Sequence, residues 1–112
     1  DYDLTRLIRM CMEINDNFSR KNYISTILLL RALLDHVAPI LGFNTFVEVA
    51  NNLKGTKSLK DSLQHLENSS RKIADAHLHT SIRKKEVLPS ATQVNFSQDL
   101  DVLLGEIVRI LK

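Results

Sequence analysis

The segment Ser69–His79, with the sequence SSRKIADAHLH, has the residue types best suited to chemistry on a phosphate. An arginine such as Arg71 can hold a phosphate through paired N–H donors. A neutral histidine can accept a proton from a hydroxyl, and His77 and His79 both follow Arg71 closely. Because these groups together could cleave RNA without a metal ion, Arg71, His77 and His79 are our candidate catalytic residues.

The positions of these residues on a helix limit how they could cooperate. Six positions separate Arg71 from His77, which corresponds to about 240° of rotation and about 9 Å of rise. The two side chains could therefore converge only on an extended ligand or across a two-fold axis. A helix that begins near Ser70 would also direct free N–H groups at an anion. In the structural alternative, Arg71 pairs with Asp75 and His77 is a partly buried core residue. His79 lies on another face than His77, so we do not expect both to point inward.

Positive charge is concentrated near this segment. The chain as a whole is only mildly basic, with a net charge of +2 and a pI near 8.8. Five positive charges nevertheless fall within a short stretch, and four of them follow Arg71. We predict that Lys72, Arg83, Lys84 and Lys85 bind RNA through its phosphates. The alternative is that they form an ordinary solvated surface.

Other chemistries lack the residues they require. The two candidate histidines do not have the i,i+4 spacing of a zinc site, and Cys11 is the only cysteine. Asp99 and Asp101 lie on different faces of a helix, where capping and the helix dipole account for them. His36 and His65 are expected to be structural or exposed. We therefore expect no metal ion and no cofactor.

The elements that position these residues are predicted to be helices almost throughout, because apolar residues recur every three to four positions. The broad apolar surface of Tyr23–Leu41 is typical of a central helix or a subunit interface. Together the pattern predicts an all-α fold, a compact bundle of four to five helices. The predicted elements are a first helix capped by Asp3, a turn within or adjoining Asn15–Asn22, a helix over Tyr23–Ile40 with a stop at Gly42, a short helix capped by Asn44 or Thr45, a helix from Ser58, a break or kink at Asn68–Ser70 followed by a helix from Arg71, a packed loop over Glu86–Asn95, and a last helix capped by Ser97.

The bulk composition indicates a single folded domain over residues 1–112. Apolar residues make up 44% of the chain and charged residues 25%, as in soluble globular proteins. The longest apolar run, Ile27–Leu30, is followed by Arg31 and Asp35, so we expect no membrane span. The acidic start Asp1–Asp3 is unlike a signal peptide, and we expect a cytoplasmic protein. Since no methionine opens the chain, the domain could be excised from a longer protein.

The order of the helices and the Arg-x5-His spacing of Arg71 and His77 resemble the HEPN domain family. The helical architecture covers almost the whole chain, whereas the motif is short. The chain departs from the family at Lys72, since a polar uncharged or acidic residue often follows the arginine there. His79 falls outside the usual spacing.

This resemblance implies a homodimer whose two motifs face each other across a cleft. In active members the histidine acts as general base on the ribose 2′-hydroxyl and the arginine stabilises the scissile phosphate, without a metal. The first function implied is a metal-independent endoribonuclease of a prokaryotic toxin or phage-defence system, with a possible antitoxin partner. The second is a non-catalytic dimerisation or nucleotide-binding module of a larger protein.

Overall fold

The chain folds into an all-α bundle without β-strands, which confirms the predicted class. The computed structural model describes residues 1–112. A π-helical segment joins α4 to α5 in one continuous helix, so the bundle has five helices and the single turn α6. The elements are α1 (Thr5–Ser19), α2 (Tyr23–Val37), a 3-10 turn (Ala38–Leu41), α3 (Phe46–Asn52), α4 (Lys57–His65), the π-helical segment (Leu66–Ser70), α5 (Arg71–Leu78), α6 (Ala91–Val94) and α7 (Ser97–Leu111).

Helix α2 lies at the centre of the bundle. It packs along α1 and α5 and also contacts α3 and α6. Its apolar side chains lie on more than one face because it has neighbours on several sides. Those that are buried belong to one core cluster with residues of the other helices. The residues that α2 contributes to this cluster are Ile27, Leu30, Leu33, Leu34 and Val37.

The same segment is apolar enough to meet the criteria for a membrane span. Tyr23–Leu41 is 19 residues long, and its most apolar window has a mean hydropathy of 1.7. The charges at Arg31 and Asp35 therefore do not by themselves exclude a membrane span. Half of that window is buried inside the bundle, however. The central position of the helix accounts for its composition, so the hydropathy is weak evidence for a membrane span.

Local signals at the start of α3 and the end of the 3-10 turn were predicted correctly. The Thr45 hydroxyl accepts the Glu48 N–H at 3.4 Å, and the Glu48 carboxylate accepts the Thr45 N–H at 3.0 Å. This reciprocal pair is a capping box. Gly42 has φ of 90°, a left-handed conformation that ends the 3-10 turn.

Several predicted boundaries were wrong by one turn or less. The turn predicted for Asn15–Asn22 is confirmed at Arg20 and Lys21, although helix α1 first continues to Ser19. Helix α4 begins at Lys57 rather than at Ser58, because the Thr56 hydroxyl accepts the N–H of the third helical residue. At the start of α7, the side chain of Asn95 accepts the Ser97 N–H at 3.1 Å. Ser97 is therefore the first residue of α7 and not its cap, so the predicted cap at Ser97 was wrong.

The irregular segment begins and ends earlier in the sequence than the predicted loop Glu86–Asn95. No regular structure occurs over His79–Ser90, whereas residues 91–94 form α6 under a capping box from Ser90. The packing expected within the loop was also wrong in part. Of the three apolar residues expected to pack, Val87 and Leu88 are 71% and 73% exposed, and Val94, which belongs to α6, is buried. Pro89 is also buried.

Candidate functional site

The candidate catalytic segment begins inside a continuous helix and not at a helix start. Leu66–Ser70 winds as a π-helix between α4 and α5, and Ser70 itself has helical φ and ψ. The Arg71 N–H is bonded to the carbonyls of Glu67 and Asn68. The chain therefore does not break at Asn68–Ser70, but a π-turn interrupts the regular α-helix there, and α5 begins at Arg71 as predicted. No free N–H groups are available there for an anion, so a phosphate would have to be held by side chains.

The π-helical turn lets two successive residues face the core. Leu66 and Glu67 are both buried, and Ser70 and Ala74 follow them on the buried side. The wider turn weakens the regular carbonyl pairing, and the Ser70 hydroxyl donates to the Leu66 carbonyl. Single π-turns within α-helices are frequent at functional sites. This turn lies directly before Arg71.

Glu67 is held by two arginines from different helices. Its Oε1 accepts Arg31 Nη1 at 3.1 Å, and its Oε2 accepts Arg71 Nε. The Glu67 side chain is only 4% exposed and that of Arg31 11%. Arg31 also donates to Asp35 at 3.1 Å on the outer side of α2. We call Arg31, Glu67 and Arg71 the arginine–glutamate cluster. A buried carboxylate is tolerated here because both oxygens are paired with positive charge.

The Arg71 guanidinium is hydrogen-bonded at Nε and has no partner within the chain at its two terminal nitrogens. Only Nε is hydrogen-bonded within the chain, and the side chain is 42% exposed. The hydrogen bond with Glu67 raises the pKa of Arg71 above its ordinary value, with smaller electrostatic contributions from Glu67, Asp35 and Asp75. The guanidinium is therefore charged at any physiological pH. The alternative of an Arg71–Asp75 ion pair was wrong, since the partner is Glu67.

The two candidate bases lie at the far end of α5. His77 is in the last turn and is partly buried, with no hydrogen bond to another side chain. His79 is the residue that ends the helix, and it is exposed. Because α5 is regular from Arg71 to Leu78, the separation expected for Arg71 and His77 applies, about 9 Å along the axis and about 240° around it. One chain therefore does not bring Arg71 and His77 to the same helix face.

The predicted RNA-binding residues are all on the surface. Lys72 is exposed on α5, and the other three lie in the loop over His79–Ser90. Arg83 Nε is 3.5 Å from the Glu86 carboxylate, so Lys84 and Lys85 are the loop's two cations without an ion pair. The loop also exposes Ile82 almost fully, at 94%. It therefore presents positive charge next to apolar side chains.

A second surface feature is an apolar cleft of about 230 Å³ between α1, α2 and the start of α7. Cys11 and Phe18 lie on its α1 side and Leu100 and Leu104 on its α7 side. Burial raises the pKa of the Cys11 thiol, so it remains protonated near neutral pH. The cleft includes neither Arg71 nor a candidate histidine.

One polar pair that sequence reasoning missed lies elsewhere. The His65 Nδ1 contacts the Asp99 carboxylate, and the His65 ring packs 5.3 Å from the Phe96 ring. Asp99 was expected to serve the α7 dipole only, and it lies in the first turn of α7. Because Asp99 is far from His65 in the sequence, no local sequence pattern predicts that the two residues pair. No group of three or more His, Cys, Asp or Glu side chains is arranged to hold a metal ion.

Comparison of the chain with models of protein families, with curated proteins and with solved structures found no match.

Proposed function

We propose that the chain is a HEPN-like endoribonuclease that works without a metal ion. The observation that carries the proposal is the charge and the hydrogen bonding of the Arg71 guanidinium. Its guanidinium is permanently charged and bonded through Nε, its terminal nitrogens have no hydrogen-bond partner in the chain, and its side chain is 42% exposed. Such a group can take two oxygens of one phosphate. The R-x5-H spacing to His77 and the all-α bundle support the same proposal.

The proposed reaction is an attack by the ribose 2′-oxygen on the adjacent phosphorus. His77 accepts the 2′-hydroxyl proton as the O2′–P bond forms, and the P–O5′ bond breaks to leave a cyclic phosphate. The leaving 5′-oxygen takes a proton from water. Arg71 stabilises the negative charge that develops on the phosphate oxygens. His79 is the second candidate for the base.

The separation of Arg71 and His77 on α5 favours a site completed by a second copy of the chain. In this proposal, two copies face each other so that the arginine of one protomer and the histidine of its partner reach the same phosphate. Lys72, Arg83, Lys84 and Lys85 then guide RNA along the surface. The setting we propose is a cytoplasmic prokaryotic toxin or phage-defence system, with an antitoxin or a further domain of the parent protein as partner.

The test is cleavage of a mixed RNA pool in EDTA by the wild type, Arg71→Ala, His77→Ala and His79→Ala. We expect loss of a general base to lower the rate by about 10²- to 10⁴-fold. Loss of Arg71 should abolish cleavage. His36→Ala is the matched control, because His36 is exposed on α2, outside the motif, and its loss should leave the rate unchanged. Far-UV circular dichroism of each variant separates lost chemistry from lost folding.

If none of the histidine variants changes a metal-independent cleavage rate, the proposed base is wrong. If both Arg71→Ala and His77→Ala unfold, their role is structural. A wild type that cleaves no RNA shifts the proposal to the second candidate.

The second candidate is a non-catalytic dimerisation or nucleotide-binding module. The apolar cleft between α1 and α7 is the observation that favours it. The apolar surface of α2 cannot carry this proposal, since the bundle itself buries most of it. Sedimentation at micromolar concentration tests the association. A strictly monomeric chain would contradict dimerisation and would also weaken the two-copy nuclease.

A further inference from the structure

The arginine–glutamate cluster contains a buried carboxylate with no role in the proton transfer outlined above. Glu67 projects from the π-helical turn towards α2 and has each oxygen on a different arginine. The cluster therefore joins Arg71, the candidate phosphate-binding residue, to the central helix of the bundle. The contact between Arg31 and Glu67 spans 36 positions of sequence.

We propose that Glu67, supported by Arg31, is a positioning residue that holds Arg71 so that its terminal nitrogens face outward to bind phosphate. This inference rests on the proposed function for the phosphate role of Arg71. Neither Glu67 nor Arg31 touches the reacting atoms in this proposal. Both act through Arg71.

The physical basis is the flexibility of a free arginine. An exposed arginine side chain loses conformational freedom whenever it binds a ligand, and this loss weakens binding. Fixing Nε in advance reduces the loss, because the guanidinium plane is already restricted before phosphate arrives. The two terminal nitrogens then form a fork whose geometry matches two phosphate oxygens.

Arg31 has a separate effect on the charge of the site. A carboxylate bonded to Arg71 alone would neutralise the charge that phosphate needs. Because Glu67 is shared, its negative charge is divided between two guanidinium groups. Asp35, which balances Arg31, is on the outer face and half exposed, so water screens it. Arg71 therefore retains attraction for an anion.

Stability alone does not explain the combination of a π-turn with a buried carboxylate. Replacing a buried ion pair by apolar residues of similar volume is often neutral or stabilising. The chain instead keeps the carboxylate fully paired and leaves one arginine partly exposed. That asymmetry, with Arg31 enclosed and Arg71 open, favours a role in binding.

The test follows the Arg71 side chain by NMR in the full chain, with inorganic phosphate as the probe. In the wild type we expect the Nε–H of Arg71 to exchange slowly and to shift on addition of phosphate. In Glu67→Gln, which keeps the size of the side chain but removes its charge, we expect fast exchange. Phosphate affinity should fall about three- to tenfold because the side chain must then be ordered on binding.

Two further variants complete the design. Arg31→Met keeps the Arg71–Glu67 pair and removes its support, so we expect a smaller loss of phosphate affinity in the same direction. Glu13→Gln is the matched control, since Glu13 pairs with Arg9 on the exposed face of α1 and should change neither readout. If Glu67→Gln does not fold, Arg31→Met carries the test alone.

RNA cleavage by the same variants adds a kinetic signature. A displaced arginine should lower kcat by about 100-fold with little change in KM, since about 1 Å of misplacement can have that effect. A structural role would reduce the amount of folded protein without altering kcat per folded molecule.

The possible failures are distinguishable. If phosphate fails to shift the Arg71 signals in the wild type, or binds equally well to folded Glu67→Gln and Arg31→Met, the positioning proposal is overturned. If phosphate binding depends on Glu67 as expected but the wild type cleaves no RNA, the positioning proposal stands and the nuclease proposal fails.

Discussion

The two ends of helix α5 differ in how the rest of the molecule holds them. At its start, Arg71 follows a buried π-turn and is bonded to Glu67, which in turn is bonded to α2. At its end, His77 has no side-chain partner, His79 is exposed, and the chain continues into an irregular loop. The half of the motif that we propose to bind phosphate is therefore held within one chain, whereas the half that we propose to accept the proton is not. An RNA or a second protomer would have to organise the latter.

The largest expected difference between these ends is in local stability. Amide hydrogens of buried, helical residues such as Ala74 should exchange only when the domain unfolds, while those near Ile82 should exchange almost freely. For a domain of this size, we expect opening free energies that differ by about 5 kcal/mol or more. Native-state hydrogen exchange measures both. Equal protection at the two sites would contradict the comparison.

The next largest effect is expected from Glu67→Ala. This change leaves Arg31 enclosed without its buried partner, and breaking one side of a buried ion pair typically lowers the free energy of unfolding by about 3–5 kcal/mol. Urea denaturation followed by circular dichroism gives the value. Glu13→Ala removes an exposed pair and should have little effect. A similarly small loss for both would show that the cluster is not coupled to the fold.

A smaller effect is expected from Ser70→Ala. The Ser70 hydroxyl is fully buried and donates to the Leu66 carbonyl within the π-turn. Its removal leaves that carbonyl short of a donor, and we expect a loss of about 1–3 kcal/mol. Ser69→Ala is the neighbouring control, because Ser69 is only partly buried. The same urea denaturation compares the two, and a larger loss for Ser69 would be unexpected.

The smallest effect is expected in the loop. Ile82 is almost fully exposed, so Ile82→Ser should change the free energy of unfolding by no more than about 0.5 kcal/mol. Thermal denaturation under matched conditions checks this. A marked loss would mean that the loop packs more closely than the structure shows. A change in oligomeric state without loss of stability would instead identify the loop as a contact between chains.

How far sequence reasoning reached depended on whether the signal was local. The cap of α3, which was left open between Asn44 and Thr45, is Thr45, and the stop at Gly42 was predicted correctly, because each signal depends on residues within one turn. The boundaries of the Glu86–Asn95 loop were predicted wrongly. Pro89 and its polar neighbours indicate a loop in general but do not mark where α6 begins.

The candidate site shows the same limit. Arg71 and His77 could be singled out because arginine and histidine are the residue types that such chemistry requires. Glu67 was missed although it stands four positions before Arg71, because the structural alternative paired Arg71 with Asp75, at the same spacing in the other direction along the helix. Only the contact between Glu67 and Arg31, 36 positions away, leaves no local signal, since glutamate is rarely buried.

The π-turn also makes the length of this stretch of chain informative. A π-turn contains one residue more than the regular α-helical turn. A related protein that lacks one residue here could therefore keep Leu63 and Ala74 in the core. Such a relative would lose one of the two successive inward positions now held by Leu66 and Glu67. The bundle could then persist while the support of Arg71 disappeared. Among related sequences, we therefore expect a one-residue insertion or deletion in the π-turn to distinguish proteins in which Arg71 is supported by a glutamate from proteins in which it is not.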